Sequence, residues 1–310
     1  MRTLCILLIV FGSVFSTNAQ DNFIANDIRI NKFVEGTLLE PKNSEIVPLV
    51  IFINDQGPTD RDGNQLMTKN DAIKKLAQAL AKNNIASFRY DKRILKADKL
   101  ELKEKDIRFE DFVTDAISAI SHFQKANKFS DFILIGHGQG SLVALLAAQE
   151  KKVDQLISIA GAGQSLDQQL IEQIEKQAPG LTEDAKSAFK QLKEKGRTRN
   201  YNDALHSIFR PETQEFMASW IAHNPAEEIK KITIPVLIIQ GSEDLQVQSS
   251  EAEILKKAKP EAEFILIKNM NHVFRIIEEN DDITNQKSYN QAYLPISEKL
   301  VSSISSFIKK

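Results

Sequence analysis

Three short segments of the chain carry side chains that could do chemistry, and the first of them is a glycine-rich turn. Residues 136–140, Gly-His-Gly-Gln-Gly, lie between a short apolar run and a helical pattern. This context fits a nucleophile elbow, G-x-S-x-G, in which a tight turn lifts a serine hydroxyl above a sheet. The central residue here is Gly138, which offers no nucleophile for acyl transfer. A glycine-rich turn before a helix could instead cradle a phosphate, but no lysine follows it as in a P-loop.

The other two segments each place one polar residue after a predicted strand. Asp244 follows the apolar run 235–240, and His272 follows the run 264–267. A lone loop aspartate is usually a turn former, and a lone histidine is usually structural. The order elbow, aspartate, histidine is nevertheless that of an α/β-hydrolase triad, in which the aspartate fixes the imidazole tautomer and the histidine is the general base. We therefore predict that Asp244 and His272 are the acid and base of a triad.

A polar loop at residues 55–64, Asp-Gln-Gly-Pro-Thr-Asp-Arg-Asp-Gly-Asn, directly follows the apolar run 47–54. In the α/β-hydrolase arrangement, a loop at this position supplies one of the two backbone N–H groups of the oxyanion hole. The sequence predicts that the amide of Gln139 is the first donor and that Gln56, or else Gly57, provides the second. The alternative is a turn braced by its charged residues, without an oxyanion role.

In these segments and several others, the chain resembles secreted bacterial α/β-hydrolases related to esterases and to the serine aminopeptidase group. The 53–64 loop is similar to the family's G-S-G-P-x-D-R-D-G-N loop, and the resemblance runs from about residue 36 to the C-terminus. Further similar motifs are F-R-Y-D-K-R (88–93), G-H-G-Q-G-S (136–141), F-R-P-E-T-Q (209–214), I-P-V-L-I-I-Q-G-S-E-D-L-Q-V (234–247) and N-H-V-F (271–274). The resemblance implies hydrolysis of carboxylic esters or related acyl compounds without a cofactor. The family's usual elbow is G-H-S-x-G, so Gly138 stands at the position where the family has its serine nucleophile.

Three interpretations of Gly138 follow. In the first, the protein is a pseudoenzyme that keeps its pocket for binding, since glycine relieves the backbone strain of an elbow. In the second, another group attacks. One candidate is Ser141, although its hydroxyl is better placed to bond backbone amides of the following helix. The other is a water activated by His272 and Asp244, which would react more slowly than a serine. In the third, Gly138 is an engineered or erroneous substitution for the serine of an ordinary esterase. We predict an acyl-hydrolase type that is inactive or slow by the usual mechanism; the alternative is a non-catalytic binder of a small hydrophobic ester or acid.

The elements that must position these residues alternate between strands and helices. Apolar runs predict strands at 47–54, 85–90, 132–135, 155–160, 235–240 and 264–267, and helical spacing falls between them. This alternation predicts a doubly wound, mostly parallel α/β sheet. The segment 164–224 shows only helical patterns, which we interpret as a cap over the strand C-termini rather than a separate helical domain. The predicted domains are thus a signal at 1–20 and one hydrolase domain at 21–310.

Composition narrows the classes of function. The chain has 310 residues, 42% hydrophobic and 26% charged, with 40 basic against 42 acidic side chains, which suits a globular protein and gives no basic surface for nucleic acid. Residues 1–20 read as a secretory signal whose apolar run is too short to span a bilayer, so we expect a secreted or periplasmic protein without a membrane span after cleavage. Cleavage removes Cys5, the only cysteine. No pair of histidines has ligand spacing, so no metal site is expected.

Overall fold

The computed structural model describes residues 22–42, 46–278 and 281–310. The predicted signal at 1–20 lies outside the described residues. Within the described ranges, no helix combines the length and the apolar character needed to cross a bilayer.

Among the residues that the structure describes, eight strands form one sheet in the order β1-β2-β4-β3-β5-β6-β7-β8. Strands β1 and β2 are antiparallel to each other, and β2 is antiparallel to β4, whereas every later pairing is parallel. The predicted α/β class with a mostly parallel sheet is therefore confirmed. The strands are β1 (Phe23–Arg29), β2 (Glu35–Pro41), β3 (Leu49–Ile53), β4 (Ala86–Tyr90), β5 (Phe132–His137), β6 (Gln155–Ile159), β7 (Val236–Gly241) and β8 (Glu263–Ile267).

The central strands are buried on both faces because helices cover the sheet on each side. All five residues of β3 and all six of β7 are buried, as the continuous apolar runs predict. The α-helices are α1 (Ala72–Lys82), α2 (Phe109–Ala126), α3 (Gln139–Glu150), α4 (Leu166–Gln177), α5 (Thr182–Lys195), α6 (His206–Phe209), α7 (Pro211–Ile221), α8 (Pro225–Lys230), α9 (Ser249–Ala258), α10 (Asp282–Ser288) and α11 (Glu298–Ile308).

Two hydrophobic clusters lie on opposite faces of the sheet. One contains the apolar sides of α2, α3 and α9, and the other contains those of α1 and α11. Alternate residues of one strand enter different clusters: Ile51 belongs to the first, and Val50 and Phe52 belong to the second. This double coverage fixes the register of the parallel strands, and with it the positions of their C-terminal ends.

Helices α4 to α7 occupy the segment between β6 and β7 that the sequence predicts as a cap. They form a small hydrophobic cluster that includes Phe189, Leu192 and Phe209. The last of them, α7, also packs on the sheet layer through Trp220, whose ring stacks on Phe109 of α2 at a centroid distance of 5.4 Å. The helical segment is thus fixed against α2 by aromatic contacts.

Candidate active site

The predicted triad partners meet at the C-terminal edge of the sheet. Asp244 follows β7 and His272 follows β8, and their side chains join through a hydrogen bond of 2.8 Å between Asp244 Oδ2 and His272 Nδ1. Backbone amides of Gln246 and Val247 donate to Asp244 Oδ1 at 2.8 and 2.9 Å. The aspartate is therefore held as an anion, and the imidazole is held in a fixed orientation.

Gly138 adopts the backbone conformation that an elbow requires. Its φ is +53° and its ψ is −121°, between the end of β5 and the first residue of α3. The neighbouring Gly140 allows helix and sheet to approach closely, because a Cβ on that residue would lie 2.0 Å from the carbonyl oxygen of Ile53. The chain therefore keeps the geometry of the turn although the residue at its centre is glycine.

The space above Gly138 is filled by a side chain that sequence reasoning left unassigned. A Cβ on Gly138 would lie 1.9 Å from Oδ1 of Asp55 and 2.4 Å from its carboxyl carbon. Asp55 follows β3, and Ile53 of that strand pairs in register with Gly136 of β5. The carboxylate of Asp55 thus occupies the position at which an elbow serine would carry its hydroxyl.

Asp55 also binds the two groups that would assist a catalytic serine, the Gln139 amide and the His272 imidazole. Its Oδ1 accepts the backbone N–H of Gln139 at 2.9 Å, and its Oδ2 lies 3.0 Å from His272 Nε2. The predicted oxyanion donor Gln139 is therefore present, but its amide is engaged by a carboxylate. Because this amide belongs to the first residue of α3, the positive end of the helix dipole also favours the anion.

The remaining predicted residues lie close to this centre. Gln56 lines the same cavities as Asp55, and its carbonyl accepts hydrogen bonds from the side chains of Thr59 and Gln65. Its oxyanion role stays a prediction. Ser141 is buried, and its hydroxyl donates to the carbonyl of Gly136 at 2.9 Å, not to the site. The expectation that this hydroxyl bonds an amide is wrong, because the tight elbow presents a carbonyl to it.

The charges of this cluster are strongly coupled. Burial alone would lower the pKa of His272, but the carboxylates of Asp244 and Asp55 outweigh it and raise that pKa to about 10. Burial opposes ionisation of Asp55, yet its hydrogen bond to His272 and the positive charges nearby hold its pKa well below the usual range. At neutral pH the site therefore contains an imidazolium between two carboxylates.

This coupling predicts a pH-dependent stability. An unfolded histidine has a pKa of about 6.5, so the stabilisation from His272 is complete below about pH 6.5 and is lost as the pH rises toward 10. We expect the free energy of unfolding of the wild type to exceed that of His272→Gln by a margin that shrinks over this window. Urea titrations of both proteins at several pH values measure the margin, and parallel curves would contradict the ion-pair assignment.

Lys92 braces the loop that presents Asp55. Its buried ammonium donates to the carbonyl oxygen of Asp55 and to Oε1 of Gln139, both at 2.7 Å, and lies 4.5 Å from the ring centroid of Phe112. Burial lowers the pKa of Lys92 to about 8, partly offset by the charge of Asp55. Lys92 therefore ties the loop after β3 to the start of α3.

Two adjoining cavities share the walls around Asp55. The larger has a volume of about 440 Å³, and the smaller, about 80 Å³, lies on the side of Gly138. Asp55, Gln139, Trp220 and His272 line both. The apolar part of the larger cavity includes Ile94, Ile107, Phe112, Phe216 and Trp220. A small, mainly apolar molecule in this space would lie beside the carboxylate.

Asp55, His137 and His272 also bring three possible metal-ligand atoms within 4.8 Å of one another. Hydrogen bonds already use part of this set: His272 Nε2 bonds Asp55, and His137 Nε2 lies 3.0 Å from the carbonyl oxygen of His272. Burial, followed by the charge of His272, lowers the pKa of His137 to about 4, so that ring is neutral. Spacing along the chain gives no sign of this group, because its members lie at or after the ends of three different strands.

Comparison with known proteins assigns the chain to a family. A family model described as serine aminopeptidase, S33, matches residues 69–280, which is more than half of the chain. The chain belongs to this family of α/β-hydrolases. Esterase EstD of Thermotoga maritima is a relative with 25% identity over 260 residues, covering 82% of this chain. The chain spans 60% of the length of EstD.

Two solved structures of other proteins share the fold. Est1E from Butyrivibrio proteoclasticus superposes with a TM-score of 0.58 at 18% identity, covering 92% of this chain and 99% of Est1E. The Pyrococcus furiosus esterase Pf2001 gives a TM-score of 0.53 at 15% identity, covering 93% of this chain and 90% of Pf2001. At these identities the likeness shows the fold alone. The predicted α/β-hydrolase membership of the esterase-like type is confirmed.

Asp55 is a residue at the centre of this site that the sequence analysis did not single out, although a signal for it exists. When D-Q-G-P (55–58) is aligned with the G-S-G-P of the family loop, Asp55 falls on the first glycine. The chain thus has a glycine in place of the elbow serine and an acid in place of a loop glycine. These two departures are complementary in space, because the acid fills the volume that the missing serine leaves.

Proposed function

We propose that this protein keeps the ester-type ligand site of its family without the serine-esterase reaction. The observation that carries the proposal is the carboxylate of Asp55, which fills the serine position above Gly138 and binds both the Gln139 amide and His272 Nε2. The slow water route is disfavoured by the same contacts, since a protonated imidazole bonded to a carboxylate has no lone pair for a water. Turnover of simple esters is therefore at most slow.

The ligand class follows from the larger cavity. Its volume of about 440 Å³ and its aromatic and aliphatic wall suit a small, uncharged, mainly apolar molecule with one polar group near Gln139 and Lys92. This supports the binding of a small ester over that of an acid, because a second carboxylate would be repelled by Asp55. The apolar N-terminal segment supports export, so the ligand would be met outside the cytoplasm.

Ligand binding can be followed with the protein's own fluorescence. Trp220 is the only tryptophan of the chain and lines both cavities. We expect dibutyl ketone, which has the shape of an ester but cannot be hydrolysed, to change the Trp220 emission in a saturable way, with a Kd of about 1 mM or lower. Wild-type protein should hydrolyse p-nitrophenyl butyrate no faster than buffer.

The matched control is Trp220→Phe, which should remove the fluorescence signal while a ketone-induced rise in Tm persists. Ester turnover by the wild type at about 1 s⁻¹ or more, as in ordinary enzymes, would show that a working nucleophile is present and would refute the proposal. Failure of the ketone to bind at any concentration would refute the ligand class.

A further inference from the structure

Asp55 has the position and surroundings of a nucleophile, whereas the usual nucleophile position has none. Its side chain is 13% exposed and stands where the two cavities meet. Each carboxylate oxygen accepts one hydrogen bond, from the Gln139 amide and from His272. A carboxylate has about four lone-pair sites, so lone pairs remain that can face a ligand in either cavity.

The chemistry of a carboxylate decides which substrates it can attack productively. If Asp55 attacked an ester carbonyl, the tetrahedral intermediate would expel the carboxylate again, since its conjugate acid has a pKa of about 4 and an alkoxide is a far stronger base. Attack on a saturated carbon forms no such intermediate. There a weakly basic leaving group departs as the new bond forms, and the product is an alkyl ester of the aspartate.

We propose that Asp55 is a covalent nucleophile for small apolar alkyl electrophiles that carry a weakly basic leaving group, of which an alkyl halide is the simplest. This inference rests on the proposed ligand site and assigns it a reaction. In the first step, an Asp55 oxygen bonds to the carbon, and the carbon–halogen bond breaks with its electron pair leaving on the halide. The ammonium of Lys92 lies in the wall of the larger cavity and favours an anion there.

The second step uses the groups that already hold Asp55. Once Asp55 is an ester it carries no charge, so His272 loses one of its two anionic partners and releases a proton to solvent. The neutral imidazole, oriented by Asp244, then takes a proton from a water that attacks the ester carbonyl. The negative charge develops on the oxygen that faces the Gln139 amide. Collapse expels the alcohol oxygen, which takes the proton back from His272, and the carboxylate is restored.

The net reaction converts an alkyl halide and water into an alcohol, a halide ion and a proton, with no oxidant or reductant. Ester hydrolysis by a serine would instead leave the enzyme's own oxygens unchanged. The two routes therefore differ in which oxygen ends in the product: here the alcohol carries an oxygen that belonged to Asp55, and the oxygen of water enters the carboxylate.

The experiment uses the full protein and n-butyl bromide. We expect bromide release by the wild type and a loss of at least about 1,000-fold in Asp55→Asn, as is typical when a nucleophile is removed. His272→Gln keeps a hydrogen-bond donor for Asp55 but cannot activate water, so it should accumulate one butyl group on the peptide containing Asp55, seen by mass spectrometry. In heavy-oxygen water with enzyme in excess, the heavy oxygen should enter Asp55 and not the butanol.

Several outcomes would overturn the assignment. Heavy oxygen in the first butanol formed would mean direct attack by water, and bromide release that survives in Asp55→Asn would mean another nucleophile. Loss of activity on treatment with EDTA would instead assign the reaction to a metal held by Asp55, His137 and His272. If dibutyl ketone binds but butyl bromide is inert, the covalent role fails while the ligand site stands, so the two proposals are separable.

Discussion

Gly138→Ser alone is expected to leave the hydrolysis of p-nitrophenyl butyrate at background, whereas Gly138→Ser combined with Asp55→Gly is expected to produce an esterase. The single variant fails because a Cβ at this position meets Oδ1 of Asp55 at 1.9 Å, and because Asp55 still holds the Gln139 amide and His272. The double variant frees the volume, the amide and the imidazole together. We expect its kcat/KM to exceed that of either single variant by about 100-fold or more.

The serine must also tolerate a φ of +53°, a strain of about 1–3 kcal/mol that elbow residues normally bear. Asp55→Gly by itself is the matched control, since it opens the same space without adding a nucleophile, and it should stay inactive. Thermal melts of all three variants show whether each is folded. The steric interpretation is wrong if Gly138→Ser is as active as the double variant.

The second large effect concerns stability at the base of the site. Asp115 of α2 and Arg93 form a buried bidentate ion pair, with Nε and a terminal nitrogen of Arg93 2.8 and 2.7 Å from the two carboxylate oxygens. Arg93 directly follows Lys92, the residue that braces Asp55. Asp115→Ala removes one partner and leaves the guanidinium with the more exposed Asp111 as its remaining carboxylate partner among the described residues, so we expect the free energy of unfolding to fall by about 3–5 kcal/mol.

An exposed ion pair provides the comparison for Asp115→Ala. Glu104 and Arg210 join a short helical turn before α2 to the segment before α7, with both side chains partly in solvent. Glu104→Ala should therefore cost at most about 1 kcal/mol, since solvent screens such pairs. Urea titration with a common m-value measures both variants. Equal losses in the two would show that burial does not decide the contribution of these ion pairs.

Much of the fold could be predicted from the sequence because its central strands are apolar on both faces. The runs at 47–54 and 235–240 locate β3 and β7 within about two residues, and α4 and α5 lie inside the segment 164–224, for which helical patterns are predicted. The antiparallel β1 is harder to predict, because five of its seven residues are exposed and leave no apolar pattern. Its pairing with β2 depends on backbone hydrogen bonds, which side-chain patterns do not record.

The proximity of Asp244 and His272 could be predicted from the order of segments along the chain; their catalytic roles stay a prediction. The contact between Asp55 and the elbow could not be predicted in this way, because it depends on two departures from the family motifs that lie far apart along the chain. Asp55 and Gln139 are 84 residues apart, and neither the loop nor the elbow alone indicates that a carboxylate from one enters the space vacated in the other. Only the pairing of β3 beside β5 brings the two together.

The in-register pairing of Ile53 with Gly136 has a consequence for protein engineering. Two loops that leave neighbouring parallel strands at the same level reach the same point above the sheet. A reactive group at that point can therefore be supplied from either loop, provided that the other loop has a glycine there. Transferring the reactive group from the elbow to the adjacent loop is thus a pairwise exchange of one side chain for one glycine, which requires no change in the helices or strands beneath it.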